Sequence, residues 1–278
     1  MNDRMNQPTA ADAPLSIAGV SLAVRDLELV APFYRQALGL KLLHQSADSL
    51  QLGVGDVPLL ELRHRPDLRP RDPAAAGLYH LAFLLPNRAD LGRWLRHAAE
   101  TGLPLDGAAD HLVSEAVYLH DPEGNGVEIY ADRPRSDWGW QGGQVVMAND
   151  RLDMIGLRAL ATTRWDGAPA GTSVGHVHLQ VGDTQEAERF YAGLLGLDVT
   201  RRWPQASFLS SGGYHHQIAA NSWHSAGAGP RDASRAGLAG VVFRAADPAT
   251  ALRLGAAAGA DSWGTPLRFI SVHQGVFA

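Results

Sequence analysis

The sequence predicts an α+β fold built from four βαβββ modules, and three observations lead there. The chain repeats itself at an offset of 157 residues: Val20, Leu22, Val24 and Asp26 recur as Val177, Leu179, Val181 and Asp183. Phe33, Tyr34, Leu38, Gly39 and Leu40 recur in the same register as Phe190, Tyr191, Leu195, Gly196 and Leu197, with no gap from Ile17 to Leu40. An ungapped internal match of this length marks duplication of a structural unit. Each copy then restarts its own pattern about halfway along. Within every unit the apolar spacing passes from a period of two to a helical period and back to two.

The elements follow in order. Ile17–Val24 reads as a strand, with Val20, Leu22 and Val24 on one face. Asp26 is placed to cap a helix that carries Leu27, Val30, Phe33, Tyr34 and Leu38, and Gly39 to end it. Strands are expected at Lys41–His44, Ser49–Gly53 and Leu59–Arg63. The pattern restarts with a strand at Leu78–Leu85. A helix follows, opened by Asn87 or Asp90, holding Leu91, Trp94, Leu95 and Ala98, and closed by Gly102. Ser114–Leu119 and Gly126–Tyr130 are strands on either side of the turn Asp121-Pro122-Glu123-Gly124-Asn125-Gly126. The third module begins at His176 and the fourth at Leu238, where Asp261-Ser262-Trp263-Gly264 echoes the turn at Asp121.

These units define a polar, disordered tail at 1–13, a first domain at 14–135, a linker at 136–171 and a second domain at 172–278. Trp138, Trp140 and Trp165 fall in the joining segment, so it is expected to be ordered and packed on a surface.

Composition narrows the chemistry. With 45% hydrophobic and 19% charged residues over 278 positions, the chain has ample material for a core. A net charge of −5 argues against a basic nucleic-acid-binding surface. There is no cysteine, which removes disulfides, iron–sulfur clusters and thiol nucleophiles together. Any metal must therefore rest on His, Asp and Glu, and the chain has 12 histidines. No apolar run is long enough for a membrane span. Residues 1–13 show no secretory signal, so the cytoplasm is the expected location. Gly171-Thr172-Ser173-Val174-Gly175 matches a nucleophile-elbow pattern, but it precedes a strand and follows a linker, the reverse of the context that motif needs.

Five stretches narrow the reading further: Gly77-Leu78-Tyr79-His80, Asp110 to Tyr118, Asp121 to Tyr130, Gly175-His176-Val177-His178-Leu179, and Tyr214-His215-His216. With the fourfold repeat, they resemble the vicinal oxygen chelate superfamily of glyoxalase I, bleomycin-resistance proteins and extradiol dioxygenases. Within it they are most similar to short two-domain proteins of the catechol-2,3-dioxygenase type. The resemblance implies two glyoxalase-like domains whose sheets curl into metal-binding cups, with ligands from the first and last strand of each module. The first-strand positions are Gly19, His80, His176 and Gly240; the last-strand positions are Glu61, Glu128, a small residue near Ala219, and Arg268. Pairing modules within each copy assembles no complete ligand set. Pairing the second with the third brings His80, His176 and Glu128 together, the two-His-one-carboxylate triad suited to Fe(II), or alternatively Mn(II). The other cup, of modules one and four, is then expected to be dead.

The same resemblance assigns roles around the triad. Tyr118 and His111 are expected to hold substrate oxygens and assist catalysis, and His216 to act as acid and base. Tyr118, His215 and His178 are the expected substrate contacts, with His178 also able to support a ligand or replace one. His215 and His216 are expected on the last strand of module three, where alternation points them to opposite faces. The implied reaction is extradiol cleavage of a catechol-like aromatic diol by O2. A metal-dependent isomerase or lyase of glyoxalase type stays open, as does a metal-free protein that sequesters a small ligand. Expected partners are a small aromatic diol and O2, with neither nucleic acid nor membrane, and homo-oligomer formation is left open.

Overall fold

The structure is a computed structural model and describes residues 10–277. Ala10–Asp12 form a short 3-10 helix and Ala10 is buried, so the chain joins the core earlier than the disordered tail expected over 1–13; the rest of that tail lies outside the described residues.

Module one comprises β1 (Leu15–Val24), α1 (Leu27–Phe33), β2 (Lys41–Gln45), β3 (Ser49–Val54) and β4 (Val57–His64). Module two comprises β5 (Gly77–Leu84), α2 (Arg88–Thr101), β6 (Gly107–Asp110), β7 (Ser114–His120) and β8 (Gly126–Asp132). The joining segment adds β9 (Trp140–Gln141), β10 (Gln144–Val145) and α3 (Met154–Ala159). Module three has β11 (Ser173–Gln180), α4 (Thr184–Tyr191), β12 (Asp198–Trp203), β13 (Ala206–Ser210) and β14 (Ile218–Asn221); module four has β15 (Gly237–Ala245), α5 (Pro248–Ala257) and β16 (Leu267–Ile270).

Local chemistry starts and stops the helices. Asp26, Asn87, Asp183 and Asp247 each accept a backbone N–H from the first turn of the helix that follows. This satisfies donors that have no partner inside the helix. Of the two openings expected for α2, Asn87 is the cap. Gly39 and Gly102 stand at the C-terminal ends with φ of 73° and 68°, the left-handed turn that favours glycine.

Module four departs from the expected βαβββ unit. Between Ala257 and Leu267 the chain has room only for the turn at Asp261, so two strands are missing. The turn itself matches its counterpart bond for bond. Asp121 Oδ1 accepts the N–H groups of Glu123 and Asn125, and Asp261 Oδ1 those of Trp263 and Thr265. In each copy a buried tyrosine of the leading helical segment donates to that aspartate: Tyr34 to Asp121 at 3.1 Å, Tyr191 to Asp261 at 2.9 Å.

The sheets cross between the copies within this one chain. An eight-stranded sheet runs β12-β13-β14-β11-β5-β8-β7-β6, joining modules two and three through antiparallel β5 and β11. A six-stranded sheet runs β16-β15-β1-β4-β3-β2, joining modules one and four through β1 and β15. The apolar faces of both sheets and their helices share one core that includes Tyr34, Phe83, Trp94, Tyr191 and Phe243.

Register fixes the four candidate ligand positions. In parallel pairing, Glu61 lies beside Ser21, Glu128 beside Ala82, Ala219 beside His178 and Arg268 beside Val242. Each partner is two residues beyond Gly19, His80, His176 or Gly240. The four positions are therefore structurally equivalent, and only the eight-stranded sheet keeps two histidines and a carboxylate there. In the other cup, a Cβ on Gly19 would lie 2.7 Å from side-chain atoms of Val276 and Phe277. The C-terminal segment thus fills the space a ligand would need. Glu61, the carboxylate left in that cup, takes hydrogen bonds from Ser21 Oγ at 2.6 Å and Arg63 Nε at 2.8 Å.

Candidate metal centre

Strand alternation builds the centre. His80 on β5 and His176 on the adjacent β11 project from the concave face of the eight-stranded sheet, and Glu128 joins them from β8 on the other side of β5. His80 Nε2 lies 2.9 Å and His176 Nε2 3.1 Å from Glu128 Oε2, and the two nitrogens are 3.3 Å apart. All three residues are buried, at 7%, 2% and 2% exposure for His80, Glu128 and His176.

The donor set fits a divalent cation on two grounds. Three donors at right angles and about 2.1 Å from one ion would stand about 3.0 Å apart, against about 3.4 Å for a tetrahedron, so the triangle resembles one face of an octahedron. The charge balance also asks for a cation. Glu61 has Arg63 beside it, and buried Glu115 has Arg88 and Arg133. Glu128 is surrounded by imidazoles instead. Burial pulls His176 down to about 4, although Glu128 draws it upward, so the ring is neutral at neutral pH. Burial would raise the Glu128 carboxyl, but His176 and His80 outweigh it and hold it well below the usual range. A buried carboxylate flanked by two imidazole nitrogens, with no arginine beside it, is a site that a metal ion compensates.

One consequence concerns the metal-free protein. His176 titrates at 6.5 when unfolded and at about 4 when folded, so the unfolded chain binds the extra proton first as pH falls. Stability from this group should be complete above pH 6.5 and decline toward pH 4, by on the order of 3 kcal/mol. Chemical denaturation of metal-free protein across that range checks it; a flat profile would contradict it.

Around the triad lies a cavity of about 440 Å³, in the range of small-molecule sites. Tyr118, His111, His178 and His216 all line it with the three triad residues. His111 Nδ1 faces the Ala148 carbonyl at 2.8 Å and must carry the proton. In the neutral ring, His111 Nε2 then accepts from the Tyr118 hydroxyl at 2.6 Å. Burial and the nearby Glu128 push the Tyr118 phenol well above its ordinary value, so the hydroxyl keeps its proton. His178 pairs across the strands with His80, and its Nε2 accepts from Asn221 Nδ2 at 2.9 Å. That bond occupies the nitrogen that would ligate, and the converging triad of donors comprises His80, Glu128 and His176 without it.

His215 and His216 differ from expectation. They precede β14 in a loop rather than on it, and both are buried instead of facing opposite ways. His215 does not line the cavity, so the structure does not place it as a substrate contact. It stands behind His216. His215 Nε2 donates to Asp132 Oδ1 at 3.0 Å, which leaves Nδ1 of the neutral ring as an acceptor. His216 Nδ1 therefore donates to it at 2.7 Å, and His216 Nε2 is left unprotonated. Burial, then His176, holds His216 well below the ordinary histidine range, consistent with that neutral form. Its ring centroid is 4.2 Å from that of His176. Asp132 lies two residues past Tyr130, where β8 ends, and no motif marks it.

Comparison with known proteins places the fold and the family. The model of the glyoxalase/bleomycin resistance protein/dioxygenase superfamily matches residues 16–129 and 173–268. The chain is 40% identical over 229 residues to a catechol-2,3-dioxygenase of Bacillus subtilis (strain 168), covering 80% of each. Among solved structures, it is similar to a candidate dioxygenase from Bacillus subtilis subsp. subtilis str. 168, with a TM-score of 0.62, 13% identity and coverage of 98% and 88%. It is also similar to a glyoxalase I mutant from Zea mays, with a TM-score of 0.57, 14% identity and 92% of each chain. Among the described residues no helix is long and apolar enough to cross a membrane.

Proposed function

This chain belongs to the glyoxalase/bleomycin resistance protein/dioxygenase superfamily, and from that premise we propose that it is an Fe(II)-dependent extradiol dioxygenase. Its substrates would be a catechol-like aromatic diol and O2. The observation that supports this best is the His80–His176–Glu128 triangle opening onto a cavity that also presents His216. Fe(II) held by His80 Nε2, His176 Nε2 and Glu128 would supply Lewis acidity and electron transfer between diol and O2. Mn(II) suits the same donors.

The chain's own residues supply the proton chemistry and the positioning. The diol must lose a proton to bind through both oxygens. The unprotonated His216 Nε2 would take it as base, and the same group would return the proton as the ring opens. Tyr118, whose one hydroxyl proton is directed at His111, offers its oxygen lone pairs to a substrate O–H beside the triad. His178, fixed by Asn221, borders the same space. The triad itself is buried, which strengthens the electrostatic contacts made there.

A glyoxalase-type isomerase is less well supported. Its fourth ligand would come from the position of Ala219, which has no donor atom in its side chain. Three ligands leave more room for two substrates at once.

Purification without oxygen, metal quantification and oxygen uptake with a catechol panel test the reading. Near one iron per chain and catechol-dependent uptake with a yellow ring-cleavage product are expected. Bound metal without uptake across a broad panel would move the reading to isomerase or lyase chemistry. Failure to bind metal after reconstitution would overturn the triad.

A further inference from the structure

The lining of the cavity away from the triad bears on which diols enter. Its wall is apolar and aromatic: Trp203 and Phe208 meet edge to face at 5.2 Å, and Ala108, Ala109 and Met147 continue the surface. Tyr79 and Trp223, packed at 5.5 Å, line the same space. At the rim, Asp106 Oδ2 lies 2.6 Å from His120 Nδ1, and both are half-exposed. Among the described residues that line the cavity there is no arginine or lysine, although the chain contains 24 of them. The carboxylates that border it are Glu128 and Asp106.

Resting on the dioxygenase reading, we propose that this site is selective for uncharged aromatic diols and rejects diols that bear a carboxylate or another anionic substituent. The diol oxygens would be met by the ion and by His216. A second anionic group on the ring has no cation to pair with. It would face an apolar wall or the Asp106 carboxylate, and desolvating an unpaired charge there is costly. An aryl or alkyl substituent instead gains contact with Trp203, Phe208 and Met147.

The experiment uses iron-loaded protein and two pairs of probes: catechol and 4-methylcatechol against 3,4-dihydroxybenzoate and 3,4-dihydroxyphenylacetate. Oxygen uptake gives kcat/KM, and anaerobic quenching of tryptophan fluorescence gives affinity through Trp203 and Trp223. The uncharged diols should be preferred by at least about a hundredfold in kcat/KM and should bind more tightly by quenching. Asn149→Arg adds a cation at an exposed lining position. It should narrow the preference by about tenfold, chiefly by raising kcat/KM for the carboxylated diols. Wild-type turnover of carboxylated diols at equal or greater efficiency would overturn the selectivity and leave the dioxygenase reading standing. An unchanged preference in Asn149→Arg would overturn the missing cation as its cause. Neither uptake nor quenching with any diol would remove the dioxygenase reading and this inference together.

Discussion

Glu128→Gln is expected to abolish metal retention and oxygen-dependent turnover while the protein still folds. Glutamine preserves the volume of the side chain but removes the one negative charge among two imidazoles. Altering groups that merely orient a metal's ligands costs 10–100-fold in affinity, so removing the anionic ligand should cost at least about a hundredfold. His80→Ala and His176→Ala should behave alike, because each removes one corner of a triangle with edges of 2.9 to 3.3 Å. The measurement is metal per chain after dialysis, with oxygen uptake and a thermal melt alongside. The metal-free melts matter: the imidazoles favour the ionised Glu128, so metal-free Glu128→Gln should still fold but melt below metal-free wild type. Stoichiometric iron in Glu128→Gln would show that the carboxylate is not a ligand. The equivalent position in the other cup provides the control. Glu61 already takes hydrogen bonds from Ser21 and Arg63, and Val276 and Phe277 fill the space beside Gly19. Glu61→Gln should therefore leave metal content unchanged.

Much of this architecture was legible in the sequence because duplication writes itself in register. The matches Asp26 with Asp183 and Tyr34 with Tyr191 preserve a helix cap in one case and a bond to a turn aspartate in the other. The crossed pairing was also legible, indirectly. A complete ligand set remains only where modules two and three meet, while Gly19, Gly240 and Arg268 leave Glu61 alone in the other cup. What escaped was set by contacts between segments distant in sequence. The strands missing from module four leave no signature, since the turn at Asp261 keeps its full hydrogen-bond pattern without them. β6 is four residues with small side chains, Gly107 to Asp110, and has little periodicity to read. Strand alternation assigned His215 and His216 to opposite faces, but they lie in a loop, where that rule does not hold. Asp132 is an ordinary strand-end aspartate until the fold brings it beside a histidine 83 residues away.

That distant pair sets the second large effect. His216→Ala should keep the metal and lose turnover by about 10²–10⁴-fold, the usual range for a positioned general acid or base. The triad does not depend on this ring, so metal content distinguishes the variant from Glu128→Gln. Asp132→Asn tests how His216 is prepared. The carboxylate compels His215 to present Nε2–H, and His215 in turn compels His216 to put its proton on Nδ1. An amide can donate as well as accept, so it no longer forces that tautomer, and a fraction of molecules would present a protonated Nε2 to the cavity. Turnover should then fall by less than in His216→Ala, with KM little changed and the acid limb of the kcat–pH profile displaced. A simple packing defect would reduce stability without moving that limb. The bond of 3.1 Å from Tyr214 to the same aspartate makes some loss of stability expected as well. His216→Ala with wild-type turnover would remove the base from the mechanism. Unchanged kinetics in Asp132→Asn would keep the base but show that His215 needs no carboxylate to orient it.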